Sequence, residues 1–459
     1  MQHIRLMAVL AWAWMGMAVG SAALHAETWV TGTAGKSPTK TVVDSAKVDL
    51  TEFLARKSAL KEDDVEGRLN LAKWCRDKEM WAQMGDMAKE VLERDPENRV
   101  AYVYLKLLDE KVAIERDEKE EERISEELKE RFEHDFTVHS TRHFVLFYDT
   151  TKEFAVSRGV SLEKAFDSFM YYFNMRKLRP KLLEKRLVVI LLKDRNDYLK
   201  YAKEVDGADL AWSAGYYSQR TNRATFYDDT TGPAAEKAEQ DVVKWRERVK
   251  ELNTQISAAN AKGQRGLVNQ LTVERNRISN GIAQWSLRVD NAVGLINNVK
   301  TVHEAAHQLA FNTGVQKRQV DYPLWFSEGL ACSFEVEDRN NNRGPAVLNW
   351  GRIAVVKTAL KGDKMVPLEK FITQSSPEEL DTPTLSVWYA QGWAMFHYMY
   401  KFHRPELEKY LLGFQAAPVG VELSAEKRRR LFTDAFGEDV TLFEKKWLEY
   451  LKGLPNPPK

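Results

Sequence analysis

Apolar and polar positions follow three different rhythms along this chain. From Leu50 to about Val112 the apolar residues recur at helical spacing, as in Leu69-Asn-Leu-Ala-Lys-Trp-Cys75 and Met80-Trp-Ala-Gln-Met84, and predict packed helices. Charges alternate from Glu115 to Glu133, the pattern of a solvated connecting helix. At His143 the rhythm changes. His143-Phe-Val-Leu-Phe-Tyr148 and the β-branched run Arg186-Leu-Val-Val-Ile-Leu-Leu192 predict strands, with a helix over Lys152 to Phe173 between them. Ala214 to Ser218 and Ala224 to Tyr227, joined by a turn at Arg220-Thr-Asn-Arg223, predict a hairpin.

A third rhythm occupies residues 234 to about 289. Val242, Trp245, Val249, Leu252, Ile256 and Ala259 alternate at coiled-coil spacing, Ala261-Lys-Gly263 makes a turn, and Leu267 to Val289 gives a second helix of looser period. This predicts an antiparallel helical hairpin inserted into the sheet-containing domain, a spacer or a surface for a protein partner. The remainder reads as helices with short loops. The expected class is α+β. A small mixed sheet with helices at 136–454 follows a helical region at 50–135 and a Thr-, Ser- and Gly-rich linker at 27–49.

The first 26 residues stand apart. His3 and Arg5 precede an uncharged apolar run from Leu6 to Val19, and the small residues Ser21-Ala22-Ala23 and Ala26 follow. This is the layout of a secretory signal peptide, with cleavage after Ala23 or Ala26. The run falls short of the roughly 20 residues a spanning helix needs, so no stable membrane insertion is expected after cleavage. The expected location is periplasmic or extracellular. Lys+Arg at 68 and Asp+Glu at 67 nearly cancel, which gives no reason to expect a nucleic-acid partner. Two cysteines, Cys75 and Cys332, lie among apolar residues in different regions and are expected as free buried thiols.

The chemistry concentrates in Thr301-Val-His-Glu-Ala-Ala-His307. On a helix, His303 and His307 lie one above the other, so both imidazoles can reach one ion, and Glu304 points to the same side. Two histidines on one buried helix face would otherwise need two separate sets of partners. Asn312-Thr-Gly314 stops the helix. After a nine-residue connection, Tyr322-Pro-Leu-Trp-Phe-Ser-Glu-Gly-Leu-Ala331 predicts a second helix running back alongside the first. Glu328 is then placed as a third ligand, and its apolar flanks make it a buried carboxylate that wants a cation. Gly329 is expected to let the two helices approach closely. Glu335 lies two turns further on and is the weaker candidate.

These residues carry a resemblance. His303-Glu-Ala-Ala-His307, then Trp325-Phe-Ser-Glu328-Gly-Leu-Ala331 and Glu335, resemble the gluzincin pattern, and most closely the peptidase MA-like proteins of exported bacterial chains, a family still labelled as of unknown function. The resemblance covers about His143 to Leu451 without the hairpin. It implies one Zn2+ held by His303, His307 and Glu328, with Glu304 activating the metal-bound water toward a peptide or protein substrate. Aminopeptidase N-like enzymes place a Tyr on a helix beyond the Glu ligand, and Tyr389 occupies a similar position, with His397 the alternative oxyanion donor. The chain lacks the Gly-x-Met-Glu-Asn stretch of those aminopeptidases, which favours endopeptidase action. A non-catalytic protein with a structural metal, using its helical regions for protein interaction, is the alternative. The helices at 50–112 resemble a tetratricopeptide-like pair at Ala88, Leu92 and Pro96 and are a second candidate partner surface.

Overall fold

The structure is a computed structural model that describes residues 7–10, 42–174, 180–210, 213–338, 343–374 and 382–457. It is α+β and mostly helical, with a small mixed sheet. A short strand β1 (Met7–Leu10) is followed by five helices: α1 (Val42–Ser58), α2 (Val65–Asp77), α3 (Trp81–Arg94), α4 (Arg99–Lys111) and α5 (Glu118–Phe132). The rest of the expected leader lies outside the described residues, and the last residues of the expected linker are already helical in α1. Helices α1 to α4 enclose their own core of Phe53, Leu71, Met84, Leu92 and Leu105. Cys75 lies in that core as a free thiol.

The sheet is built from β2 (Thr137–Ser140), β3 (Phe144–Tyr148), β4 (Leu187–Leu192), β5 (Ser213–Ser218) and β6 (Arg223–Tyr227), in the order β5-β6-β4-β3-β2, with β1 laid antiparallel on the outer edge of β5. Helix α6 (Lys152–Asn174) carries the chain from β3 to its parallel neighbour β4, and α7 (Arg195–Asp206) follows β4. Strands β3, β4 and β6 run parallel and are covered on both faces, which is why β3 and β4 read as unbroken apolar runs. Phe144, Leu146, Val189, Leu191, Tyr217 and Phe226 pack under α6 and the metal-motif helix. Val145, Phe147, Ile190, Leu192 and Tyr216 face the other way, against α5 and α7.

Helix α5 corrects an expectation. It is no solvated connector, because Ile124 and Leu128 are fully buried against the sheet and Glu127 takes both ends of the Arg223 guanidinium, at 2.8 and 2.9 Å. Two apolar positions per two turns suffice for packing, and the surrounding charges masked them.

The hairpin forms as expected, with one correction. Helix α8 (Pro233–Ala261) turns at Gly263, whose φ is +68°, into α9 (Arg265–Asn312). Trp245 meets Trp285 edge-on across the seam at 5.8 Å. The second arm does not end near Val289. It continues without a break through the metal motif as one 48-residue helix, about 70 Å long at 1.5 Å per residue. Only Gly294 interrupts the helix-forming residues between hairpin and motif, and a lone Gly weakens a helix without ending it. The hairpin is therefore an extension of the helix that carries His303 and His307.

Among the described residues, seven further helices follow: α10 (Leu324–Cys332), α11 (Trp350–Lys361), α12 (Leu368–Thr373), α13 (Thr382–Phe402), α14 (Arg404–Gln415), α15 (Ala425–Phe436) and α16 (Val440–Gly453). They join the core of the sheet through Trp325, Phe371, Trp388 and Trp447. Among the described residues no helix is long and apolar enough to cross a membrane.

Candidate metal centre

The C-terminal end of α9 is buried on all sides. Val302, Ala305, Ala306, Leu309 and Ala310 pack into the main core, and His303, Glu304 and His307 are 0% exposed. The helix stops at Asn312, and Gly314 takes the left-handed backbone that turns the chain back. Pro323 then caps α10, which returns alongside α9 and presents Glu328 to both histidines.

Three donor atoms converge. Nε2 of His303 and Nε2 of His307 are 3.2 Å apart, and Oε2 of Glu328 lies 3.1 Å from the first and 3.7 Å from the second. This group could hold a metal ion. Burial opposes charge on Glu328, but His307 and His303 outweigh it and hold the carboxyl down at about 2. Burial also pushes the His307 imidazole below its ordinary range, toward the neutral form that ligates metals. Several atoms of the group bond to no described side chain: Glu328 Oε1, His307 Nδ1 and both oxygens of Glu304. Glu304 faces the backbone of Tyr217 in β5, and burial pushes its carboxyl well above the usual carboxylate range.

Glu335 is not part of that triad, yet it belongs to the centre. Its Oε1 lies 3.0 Å from Nδ1 of His303, on the ring edge facing away from Glu328. Asn349 Nδ2 donates to Glu335 Oε2 at 2.8 Å, and the Arg352 guanidinium grips both oxygens, at 3.0 and 2.5 Å. A carboxylate on the distal nitrogen of a ligating histidine fixes its tautomer and orientation. His303, Cys332 and Glu335 form a second group with donor atoms within 4.8 Å. In it Glu335 is already saturated by a cation and an amide, so the first group is the better cradle. Asn349 and Arg352, which cap and open α11, escaped the sequence reading. A buried Asn-x-x-Arg pair opening a helix after the second motif is the only sequence signal that could have pointed to them.

The two donor candidates make different contacts. The Tyr389 ring centroid lies 6.2 Å from that of His303. His397 is engaged elsewhere: its Nδ1 lies 2.6 Å from the Pro345 carbonyl oxygen and its ring stacks on Trp393. The expectation for Gly329 is also corrected. A Cβ there would sit 2.3 Å from the carbonyl oxygen of Gly392, so the close approach is between α10 and α13 and not between α10 and α9. Cys332 is free and fully buried.

A family model described as a protein of unknown function (DUF1570) matches residues 298–419. The match begins just before the His303–His307 motif, spans α10 to α14, and leaves out the sheet and the hairpin. No curated protein matches the chain.

Proposed function

We propose that the protein is an exported zinc-dependent peptidase of the gluzincin type, with His303, His307 and Glu328 as ligands and Glu304 as general base. The spacing of the donors supports zinc. Ligand atoms about 2.0–2.1 Å from a tetrahedral ion stand about 3.3–3.4 Å apart, and the three observed separations are 3.1, 3.2 and 3.7 Å. Two imidazoles and one carboxylate leave a fourth position open, the mark of a catalytic zinc site.

The observation that carries the reading is Glu304. Its carboxylate is fully buried beside the triad, faces the backbone of Tyr217, and bonds to no described side chain. A metal held only for structure has no use for such a group, whereas hydrolysis does. Zinc would supply an acidified water and polarise the peptide carbonyl. With a cation beside it opposing the burial that raises its carboxyl, Glu304 would be ionised, take a proton from the attacking water and return it to the leaving amine. Tyr389 donates to the oxygen that gains charge. The backbone of β5 offers an extended peptide the ladder of a sheet edge. That edge is covered by β1, which cleavage of the leader would remove.

The test is metal analysis of the mature protein, with hydrolysis of a mixed peptide library measured with and without a chelator. Stoichiometric zinc and chelator-sensitive cleavage within chains support the reading. A zinc protein that cuts nothing favours the alternative, a binding protein with a structural metal.

A further inference from the structure

Arg352 is 6% exposed and sits in the wall of the centre without touching the triad. It makes two different contacts with groups that do. Its Nε and Nη2 donate to the two oxygens of Glu335 at 3.0 and 2.5 Å, a two-pronged bond, and Glu335 in turn holds Nδ1 of His303 at 3.0 Å. The same guanidinium lies over the ring of Tyr389, with Cζ 5.5 Å from the centroid. Asn349 ties the arrangement down. Its Nδ2 donates to Glu335 Oε2 at 2.8 Å, and its Oδ1 accepts from the backbone N–H of Arg352 at 3.2 Å. One asparagine thus sets both the carboxylate and the start of the helix that carries the arginine.

A purely structural arginine at this depth would be satisfied by its carboxylate. Here the cation also lies over the ring of Tyr389, whose centroid stands 6.2 Å from that of the same histidine. Only a guanidinium does both, since a lysine ammonium is a point charge that can neither fork onto two oxygens nor lie flat on a ring.

We propose that Arg352 is a positioning residue that sets two parts of the centre together: His303, through Glu335, and the ring of Tyr389, through the cation placed over it. The Tyr389 half rests on the peptidase reading above, and the His303 half needs only that a metal binds. One cation ties the ligand geometry to the place where carbonyl charge develops. The two cannot then drift independently by the fraction of an ångström that costs rate.

The test uses the mature protein with Arg352→Lys, Glu335→Gln and Tyr389→Phe, singly and in pairs. Zinc affinity is read by competition against a chromogenic chelator, and kcat and KM on a cleaved peptide. Arg352→Lys and Glu335→Gln should each lower zinc affinity about 10- to 100-fold, and the pair should lose little more than either alone. Tyr389→Phe should leave zinc affinity unchanged and lower kcat about 100- to 1,000-fold. Adding Arg352→Lys to it should lower kcat by less than the product of the two single effects. Wild-type zinc affinity in Arg352→Lys, or effects that simply multiply, would overturn the proposal. Should Arg352→Lys not fold, Glu335→Gln releases the fork while leaving the stack, and normal zinc affinity there is equally fatal. If the wild type cuts no peptide, the peptidase reading fails by itself, and the zinc measurements still judge the hold on His303.

Discussion

Glu335 Oε1 stands 3.0 Å from Nδ1 of His303, on the opposite ring edge from Glu328. The two glutamates on either side of one imidazole have different tasks. Glu328 faces the place where the donor atoms converge. Glu335 is held by Asn349 and Arg352, and although burial opposes its charge, Arg352 and His303 keep its carboxyl down at about 2. Glu328→Gln should therefore abolish tight metal binding, whereas Glu335→Gln should only weaken it. Chelator competition on the two variants separates them, and equal loss in both would contradict the assignment.

The crossing of α10 and α13 leaves no room for a side chain. A Cβ on Gly329 would meet the Gly392 carbonyl oxygen at 2.3 Å, and one on Gly392 would meet the Trp325 carbonyl oxygen at 3.0 Å. Backbone cannot yield as a flexible side chain does. Gly329→Ala should destabilise by at least about 1–3 kcal/mol, the usual cost of overpacking, and more than Gly392→Ala. Urea unfolding of both variants checks the order.

Because α9 is continuous, the two halves of the hairpin should respond differently to change. The distal seam around Trp245 and Trp285 is local, so joining residues 242 and 286 through a short turn should leave metal content and the cooperative unfolding of the rest intact. Leu295 lies on the helix between hairpin and motif and is 46% exposed, so little packing is lost there. Leu295→Pro should cost about 3 kcal/mol or more through the broken helix and lower metal content. Metal analysis and thermal unfolding of both variants test this.

Away from the candidate metal centre, a buried histidine joins the N-terminal helices to the sheet. His143 Nδ1 lies 2.6 Å from Glu163 of α6, and its Nε2 lies 3.1 Å from Asp109 of α4. Burial disfavours the imidazolium, but the two carboxylates outweigh it and raise the His143 pKa above its ordinary value. A raised folded-state value gives stability that is complete below the unfolded value, near 6.5, and is lost as pH rises through the folded one. His143→Gln should thus cost more stability at pH 6 than at pH 9, as read by urea unfolding at the two pH values. An equal cost at both would show that the pair of carboxylates does not hold a proton there.

The parts of this fold legible in the sequence are those with a strong local period. The strands at 144–148, 187–192, 213–218 and 223–227, the hairpin seam, and the spacing of His303, Glu304, His307 and Glu328 all announce themselves within a few residues. What escaped is what depends on contacts between distant segments. The burial of Ile124 and Leu128 in a charged helix, the meeting of Gly329 with Gly392, and the grip of Arg352 on Glu335 join residues that no periodicity links. The end of the hairpin was misplaced for a different reason. The looser period of the second arm runs out near Val289 because α9 leaves α8 there for α6 and the sheet, and a change of partner looks like an end.

The central claim separates ligands from base, and one comparison tests it. Glu304→Gln keeps the shape of the side chain but cannot accept a proton. Metal content and peptide cleavage should be measured on wild type, Glu304→Gln and His303→Ala, all as mature protein. Glu304→Gln should retain zinc while cleavage falls by at least about 100- to 10,000-fold, and His303→Ala should lose zinc and cleavage together. If Glu304→Gln loses zinc as fully as His303→Ala, or cuts peptides as fast as the wild type, the proposed roles are wrong.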